Sequence, residues 1–242
     1  MRSMNKIAFL SGLVFLAVSG HSFAEDSQLK DKKFIEDSSY AIGVFMGKNI
    51  QQSLDSQKSL IKYDNSKILE GVKDTLTGKT TLSDEALQKQ LQALDEQLTK
   101  ATQVQLEKVA KENEQKGKEY RDKYAKQDGV KKTESGILYR IEKEGDGVRP
   151  NPADTVKVNY RGTLIDGTEF DSSYKRNQPI EFQLNQLIPG WVEGISLIKK
   201  GGKIQLVLPP NLAYGDQQTG QIPPNSTLIF DIELLDVKSN NK

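Results

Sequence analysis

The stretch DTVKVNYRGTLIDGTEF, residues 154–170, decides the fold of the C-terminal half. Apolar and polar residues alternate along its first part, as in a β-strand with one buried face. The pair Asp166-Gly167 follows, and Asp-Gly between two extended segments is a strong signal for a tight hairpin turn. The stretch therefore predicts two antiparallel strands and places this half of the chain in a sheet.

Four further segments of the same half also indicate strands. They alternate in polarity or are rich in β-branched residues, and turn residues bound them: GILYRIEKEG, PIEFQL, GKIQLVLP and STLIFDIELLDVK. In PGWVEGISLIK, by contrast, Trp191, Ile195 and Ile198 recur at helical spacing. With the hairpin stretch counted once, five strand segments and one short helix predict an α+β domain over residues 129–242, with an antiparallel sheet wrapped on that helix.

Residues 25–128 are helical in character, because they contain no proline and are rich in Lys, Gln, Glu, Leu and Ala. FIEDSSYAIGVFMGKNIQQSL, residues 34–54, predicts a first helix, and residues 66–76 predict a second. Ser83 is suited to cap a third helix, which has no obvious stop before Lys126. Gly117 interrupts this long helix at a cost of about 1 kcal/mol relative to alanine.

The third helix carries an apolar seam of the kind found in paired helices. Its members step by four and three residues: Leu87, Leu91, Leu94, Leu98 and Ala101. Beyond Val109 the chain is charged on most faces. The pattern favours an all-α dimerisation module, followed by a projecting stalk from about Gln105 to Lys126. The alternative is an intramolecular three-helix bundle with a frayed end.

The first 24 residues have the layout of a secretory signal peptide. A basic start, MRSMNK, precedes the 12-residue apolar run IAFLSGLVFLAV, and small residues precede a cleavage site after Ala24. A membrane-spanning helix needs about 20 apolar residues, so an uncleaved anchor is the less favoured alternative. We expect an exported, periplasmic protein without a membrane span, and leave association with the outer membrane open.

Composition excludes several kinds of chemistry. Loss of Arg2, Lys6 and His21 with the leader takes the 34 basic residues to 32, against 33 acidic ones, and removes the only histidine. The chain has no cysteine. Ser-His-Asp and Cys-His nucleophiles are thereby excluded, as are the usual zinc and copper ligands, and we expect no metal and no cofactor. The nearly neutral charge gives no reason to expect a nucleic-acid partner.

Four stretches together resemble one family. They are VNYRGTLIDGTEFDSS, IPGWVEG, GGKIQLVLPPNLAYG and IPPNSTLIFDIELLDV, and they span about residues 135–237. Their order and spacing are similar to those of the FKBP-type peptidyl-prolyl cis-trans isomerases. The order of leader, helical module, long helix and isomerase further resembles the macrophage infectivity potentiator group. The resemblance implies an exported homodimer that accelerates X-Pro rotation in unfolded or partly folded polypeptides, with chaperone activity.

Isomerisation of an X-Pro bond needs neither a histidine or cysteine nucleophile nor a metal. The barrier to rotation is about 18–20 kcal/mol, but no covalent bond is made or broken. A site that grips the proline ring, excludes water and favours the twisted amide suffices. The alternative is a non-catalytic chaperone or adhesin-like protein whose pocket only binds peptides.

The resemblance also implies the residues of the pocket. The catalytic set is Asp171, Tyr214, Tyr160 and Phe170. The substrate-binding set is Trp191, Ile188, Phe230, Ile222, Leu187, Phe182 and Arg176, with Val158 behind them. Trp191 would be the partly exposed floor, and the Tyr214 hydroxyl would donate to a substrate carbonyl. The alternative for the aromatic side chains is ordinary core packing, and for Asp171 an acid in a turn.

Two departures from the family pattern flank this pocket. The loop DQQTGQIPP, residues 216–224, stands where relatives often have a Gly-Pro-Gly-rich tip. Ile180 stands where some members have phenylalanine. The resemblance implies binding of the macrolides tacrolimus and rapamycin, and the altered loop predicts that they bind more weakly than to a typical member.

Overall fold

The computed structural model describes residues 30–239. The predicted signal peptide, residues 1–24, lies outside the described residues. The chain divides into two compact units, Met1–Thr80 and Thr81–Lys242. Between residues 30 and 239, no helix has both the length and the apolar character needed to cross a membrane.

The described part of the first unit contains two helices, α1 (Lys32–Gln57) and α2 (Asn65–Leu76). An aspartate caps each of them: Asp31 accepts from Phe34 N at 2.7 Å, and Asp64 accepts from Ser66 N at 2.9 Å. Neither helix contains a buried residue. Large apolar side chains stay exposed, namely Phe34, Ile35, Tyr40, Ile42, Val44, Phe45, Met46, Leu69, Val72 and Leu76. These helices therefore carry apolar surface that the described residues of their unit leave uncovered.

The second unit begins with the long helix α3 (Asp84–Tyr124). Ser83 caps it as predicted, accepting from Ala86 N at 3.2 Å. Asp84 and Glu85 lie in the first turn, and Arg121 and Lys123 in the last, as the helix dipole favours. These signals explain why 41 residues form one helix.

The last turns of α3 differ from the predicted stalk, which was expected to have little apolar surface to bury. Tyr124 is only 3% exposed and forms a small core with Leu138 and Val207. Tyr120 stacks on Tyr124, with ring centroids 6.2 Å apart. The Tyr124 hydroxyl donates to Gln205 Oε1 at 2.8 Å. The predicted stalk rested on the many charged residues of this segment, whereas the rings of Tyr120 and Tyr124 anchor the helix to the sheet.

Gly117 lies where α3 approaches the chain segment before the last strand most closely. A Cβ at this position would collide with the Oγ1 of Thr227, which is 2% exposed. The loss of helix propensity at Gly117 is therefore the cost of a close helix-to-loop contact.

The rest of the unit is one antiparallel sheet of seven strands among the described residues. They are β1 (Lys131–Lys132), β2 (Leu138–Lys143), β3 (Thr155–Leu164), β4 (Glu169–Ser172), β5 (Ile180–Gln183), β6 (Lys203–Leu208) and β7 (Leu228–Lys238). Their order is β1-β2-β6-β7-β3-β4, and β5 also pairs with β3. The sequence predicted five strands. β4 is the second arm of the predicted Asp166-Gly167 hairpin, and β1 has only two residues, too short for its pattern to be read.

A short helix, α4 (Pro189–Ile195), packs on the sheet as predicted. Proline occupies its first turn, where the missing N–H has no helical partner to lose. Gly190 and Gly194 face β6, and a Cβ on Gly190 would lie 2.6 Å from Leu208 Cδ1. The two glycines let the helix sit close enough for Trp191 and Ile195 to enter the core. The expected α+β class, with a helical N-terminal region before an antiparallel sheet, is confirmed.

Candidate active site

A cavity of about 490 Å³ opens between α4, the sheet and the loop that joins β6 to β7. Strands β3, β4, β5 and β7, helix α4 and the β6–β7 loop contribute to its wall, so segments far apart in the sequence come together to form it. The lining residues are Tyr160, Phe170, Asp171, Phe182, Leu187, Ile188, Trp191, Tyr214, Thr219, Gly220, Gln221, Ile222 and Phe230. A mostly apolar cavity with a few polar groups is typical of a small-ligand or peptide site.

Trp191 forms the base of this cavity. Three rings stand nearly perpendicular to the indole: Tyr160 at 5.0 Å and 83°, Phe230 at 5.2 Å and 88°, and Phe182 at 5.9 Å and 89°. Such edge-to-face contacts are favoured by the ring quadrupoles. Because these rings enclose it, Trp191 is only 4% exposed, so the expectation of a partly exposed indole is wrong. The indole lines the cavity from within the core.

The polar edge is a cluster of three side chains. The Tyr160 hydroxyl donates to Asp171 Oδ2 through a short hydrogen bond. Arg176, on a 3-10 turn that follows β4, donates to Asp171 Oδ1 at 2.5 Å and to the Tyr160 hydroxyl at 2.9 Å. The backbone N–H of Ser172 also donates to Asp171 Oδ1, at 2.8 Å. Both carboxylate oxygens are therefore occupied within the protein.

This cluster fixes the protonation of its members. Burial alone raises the pKa of Asp171, but hydrogen bonds from Tyr160 and Arg176, together with the Arg176 charge, bring it below its ordinary value. Burial and the bond to Asp171 raise the pKa of Tyr160 to about 12. At neutral pH the carboxyl is therefore charged and the phenol is protonated.

Tyr214 adds a further polar side chain to the cavity, outside this cluster. It is 37% exposed, and its hydroxyl makes no hydrogen bond to any residue between 30 and 239. Burial and, secondarily, the Asp171 charge raise its pKa. A protonated hydroxyl without an internal acceptor can donate to a ligand.

The structure brings ten of the eleven predicted site residues together around the cavity. The exception is Arg176, which acts on the edge through Asp171 and Tyr160. Val158 is buried behind the wall, opposite Ile180 on β5. The sequence predicts a loop that only flanks the pocket, whereas Thr219, Gly220 and Gln221 line it. Two polar residues and a glycine give no apolar signal from which a cavity wall could be predicted. The bridge between Thr219 and Ile222 brings these residues to the wall.

Taken together, the fold and the cavity define a small α+β peptide-binding domain of the prolyl isomerase class. The family model for the FKBP-type peptidyl-prolyl cis-trans isomerase matches residues 147–235. The model for the domain amino-terminal to FKBP-type isomerases matches residues 35–141. The chain belongs to the FKBP-type peptidyl-prolyl cis-trans isomerase family, and its enzyme class is peptidyl-prolyl cis-trans isomerase.

Individual relatives cover nearly all of the chain. A probable FKBP-type isomerase of Haemophilus influenzae is 46% identical over 244 residues, across the full length of both chains. The isomerase FkpA of Escherichia coli is 49% identical over 216 residues, or 89% of this chain and 80% of FkpA. The crystal structure of E. coli FkpA matches with a TM-score of 0.74 at 48% identity, covering 88% of this chain and 99% of that one.

Proposed function

We propose that this isomerase works in the periplasm as a homodimer and holds unfolded or partly folded polypeptides while it isomerises their X-Pro bonds. The leader-like first 24 residues support export, and removal of the leader defines the mature chain of residues 25–242. The uncovered apolar surface of α1 and α2 supports pairing and client binding.

The observation that carries the catalytic part is the aromatic cavity around Trp191. A proline ring enters it against Trp191, Phe230 and Phe182, and the adjoining amide leaves water. Because the planar amide is stabilised by resonance and by hydration, an apolar environment favours the twisted form relative to the planar one. Positioning and desolvation thus replace the histidine and cysteine chemistry that residues 25–242 lack.

The two polar features of the edge take different roles. Tyr214 donates its unpaired hydroxyl to a substrate carbonyl and fixes the register of the peptide. Asp171, whose two oxygens are already engaged, orders Tyr160 and Arg176 along the cavity wall. Phe170 stands perpendicular to Phe230, with centroids 5.6 Å apart, and closes the wall beside them.

The proposed dimer uses the seam of α3 together with the apolar side chains of α1. Leu87 and Leu91 are 43% and 51% exposed in the single chain. Burying such surface gains roughly 25 cal/mol per Å² before the costs of association. The domain division that we propose is 25–128 for the dimerisation and chaperone module, with the isomerase at 129–242.

A single inhibitor separates the catalytic activity from the chaperone activity. Rapamycin should occupy the cavity of the mature chain and stop turnover of an X-Pro tetrapeptide. The same sample should still suppress aggregation of an unfolded, proline-free polypeptide, because that activity belongs to the helical module. Loss of both activities would assign client binding to the cavity. If the mature chain shows no turnover even without rapamycin, the protein is the non-catalytic alternative, whose pocket only binds peptides.

A further inference from the structure

The loop between β6 and β7 has two functional faces. One face lines the cavity with Thr219, Gly220, Gln221 and Ile222. The loop is closed on itself, since Asn225 N donates to Gly215 O at 2.8 Å and Ile222 N donates to Thr219 O at 2.9 Å. A displacement of its outer face is therefore transmitted to the cavity wall.

The outer face of this loop lies against α3. Asn113 Nδ2 donates to Pro224 O at 2.9 Å, two residues after Ile222. The Arg121 guanidinium donates to Thr227 Oγ1 through a short hydrogen bond. Gly117 faces Thr227 between them. Residues 113, 117 and 121 are spaced by four, so they form one row along the helix.

The contact is made at separate points. A groove of about 360 Å³ runs beside it, lined by Asn113, Lys116, Leu164, Ile165, Asp166, Pro223, Ser226 and Thr227. The groove lies between α3 and the loop residues Pro223 and Ser226, so the two hydrogen bonds and the Gly117 contact are what link the loop to the helix.

We infer that Asn113, Gly117 and Arg121 of α3 are positioning residues for the isomerase reaction. They hold the loop that carries Ile222 and thereby set the width of the proline cavity. A loosened wall grips the proline ring less well in the planar and twisted states alike. Such a loss of uniform binding raises KM and leaves kcat nearly unchanged.

The test uses the mature full-length chain and an X-Pro tetrapeptide. Asn113→Ala should raise KM roughly three- to tenfold, the range of coupling through packed contacts. Thermal stability should stay the same, because the groove lets water reach the freed Pro224 carbonyl. Asn113→Gln keeps the amide donor and should restore part of the affinity. Gln115→Ala is the matched control, since Gln115 bonds only to Glu119 on the same helix.

Gly117→Ala gives an independent readout. Alanine favours the helix by about 1 kcal/mol, while its methyl group forces Thr227 away. We expect KM to rise although the helix itself is no weaker. Ile222→Ala, measured alongside, should raise KM directly and so show that the substrate uses this wall. If it does while Asn113→Ala and Gly117→Ala keep the wild-type KM, α3 does not position the loop. An equal rise in Gln115→Ala would overturn the assignment too.

Discussion

At the scale of single residues, the cavity combines a rigid apolar base with two distinct polar features. Trp191 is held by three perpendicular rings, and Asp171 by Tyr160, Arg176 and the Ser172 N–H. The Tyr214 hydroxyl, by contrast, has no hydrogen-bond partner among the described residues. In the proposed reaction, the preorganised groups exclude water and fix geometry, and Tyr214 donates its hydroxyl to the substrate.

Tyr214→Phe tests that division. The change removes one hydroxyl and keeps the ring, so kcat/KM on a tetrapeptide should fall roughly two- to tenfold, the worth of one hydrogen bond. The free energy of unfolding in urea should not change, because the hydroxyl has no internal partner. Tyr139→Phe serves as a control outside the cavity. If Tyr214→Phe keeps the wild-type kcat/KM, the Tyr214 hydroxyl does not contact the substrate.

The raised pKa of Tyr160 predicts a pH dependence of stability. The folded phenol keeps its proton up to about pH 12, whereas an unfolded tyrosine ionises near pH 10. Between these values the folded state binds more protons, so stability falls as pH rises through this window. Urea unfolding at several pH values should show this fall in the wild type and less of it in Tyr160→Phe. Parallel curves for the two proteins would contradict the assignment.

At the scale of elements, the sequence predicts what local patterns encode. Ser83, the Asp166-Gly167 turn and the Pro189-Gly190 helix start all lie where the structure has them. Ten site residues follow from the family resemblance, because four stretches stand in order. What local patterns could not show is long-range contact: Tyr124 on the sheet, Gly117 against Thr227, and a polar loop facing the cavity.

The anchoring of α3 makes a prediction about fragments. A fragment that begins at Gln127 lacks Tyr120 and Tyr124 and exposes Leu138 and Val207 to water. It should be less stable than a fragment that begins at Lys111 by roughly 2–4 kcal/mol, the worth of burying large apolar side chains. Both should be monomeric and active on a tetrapeptide, the shorter one with a higher KM. Equal melting temperatures would show that the tyrosines contribute no stability.

At the scale of the whole molecule, the exposed apolar residues of α1 and the α3 seam predict a second copy of the chain. Light scattering should find the mature chain dimeric at micromolar concentration. Leu87→Glu combined with Leu91→Glu should make it monomeric, because charges would enter the interface. Lys89→Glu, off the seam, is the control. If the wild-type mature chain is monomeric, the exposed apolar surface does not serve dimerisation.

Pairing should matter for large substrates and not for small ones. Two linked catalytic domains re-present the prolines of a held client at high effective concentration. The Leu87→Glu, Leu91→Glu variant should therefore keep tetrapeptide turnover and lose much of its effect on a slowly refolding, proline-limited protein. Parallel peptide and refolding assays measure both. Equal loss in the two assays would mean that the substitutions damage the isomerase domain.

One titration tests most directly whether the aromatic cavity is where isomerisation takes place. Trp191 is the only tryptophan of the chain, so its fluorescence reports on this cavity alone. Tacrolimus is added stepwise to the mature protein while fluorescence and tetrapeptide turnover are followed in the same sample. We expect quenching and loss of turnover to follow one curve and to saturate at one macrolide per chain. Turnover that persists after the quenching is complete would place catalysis elsewhere.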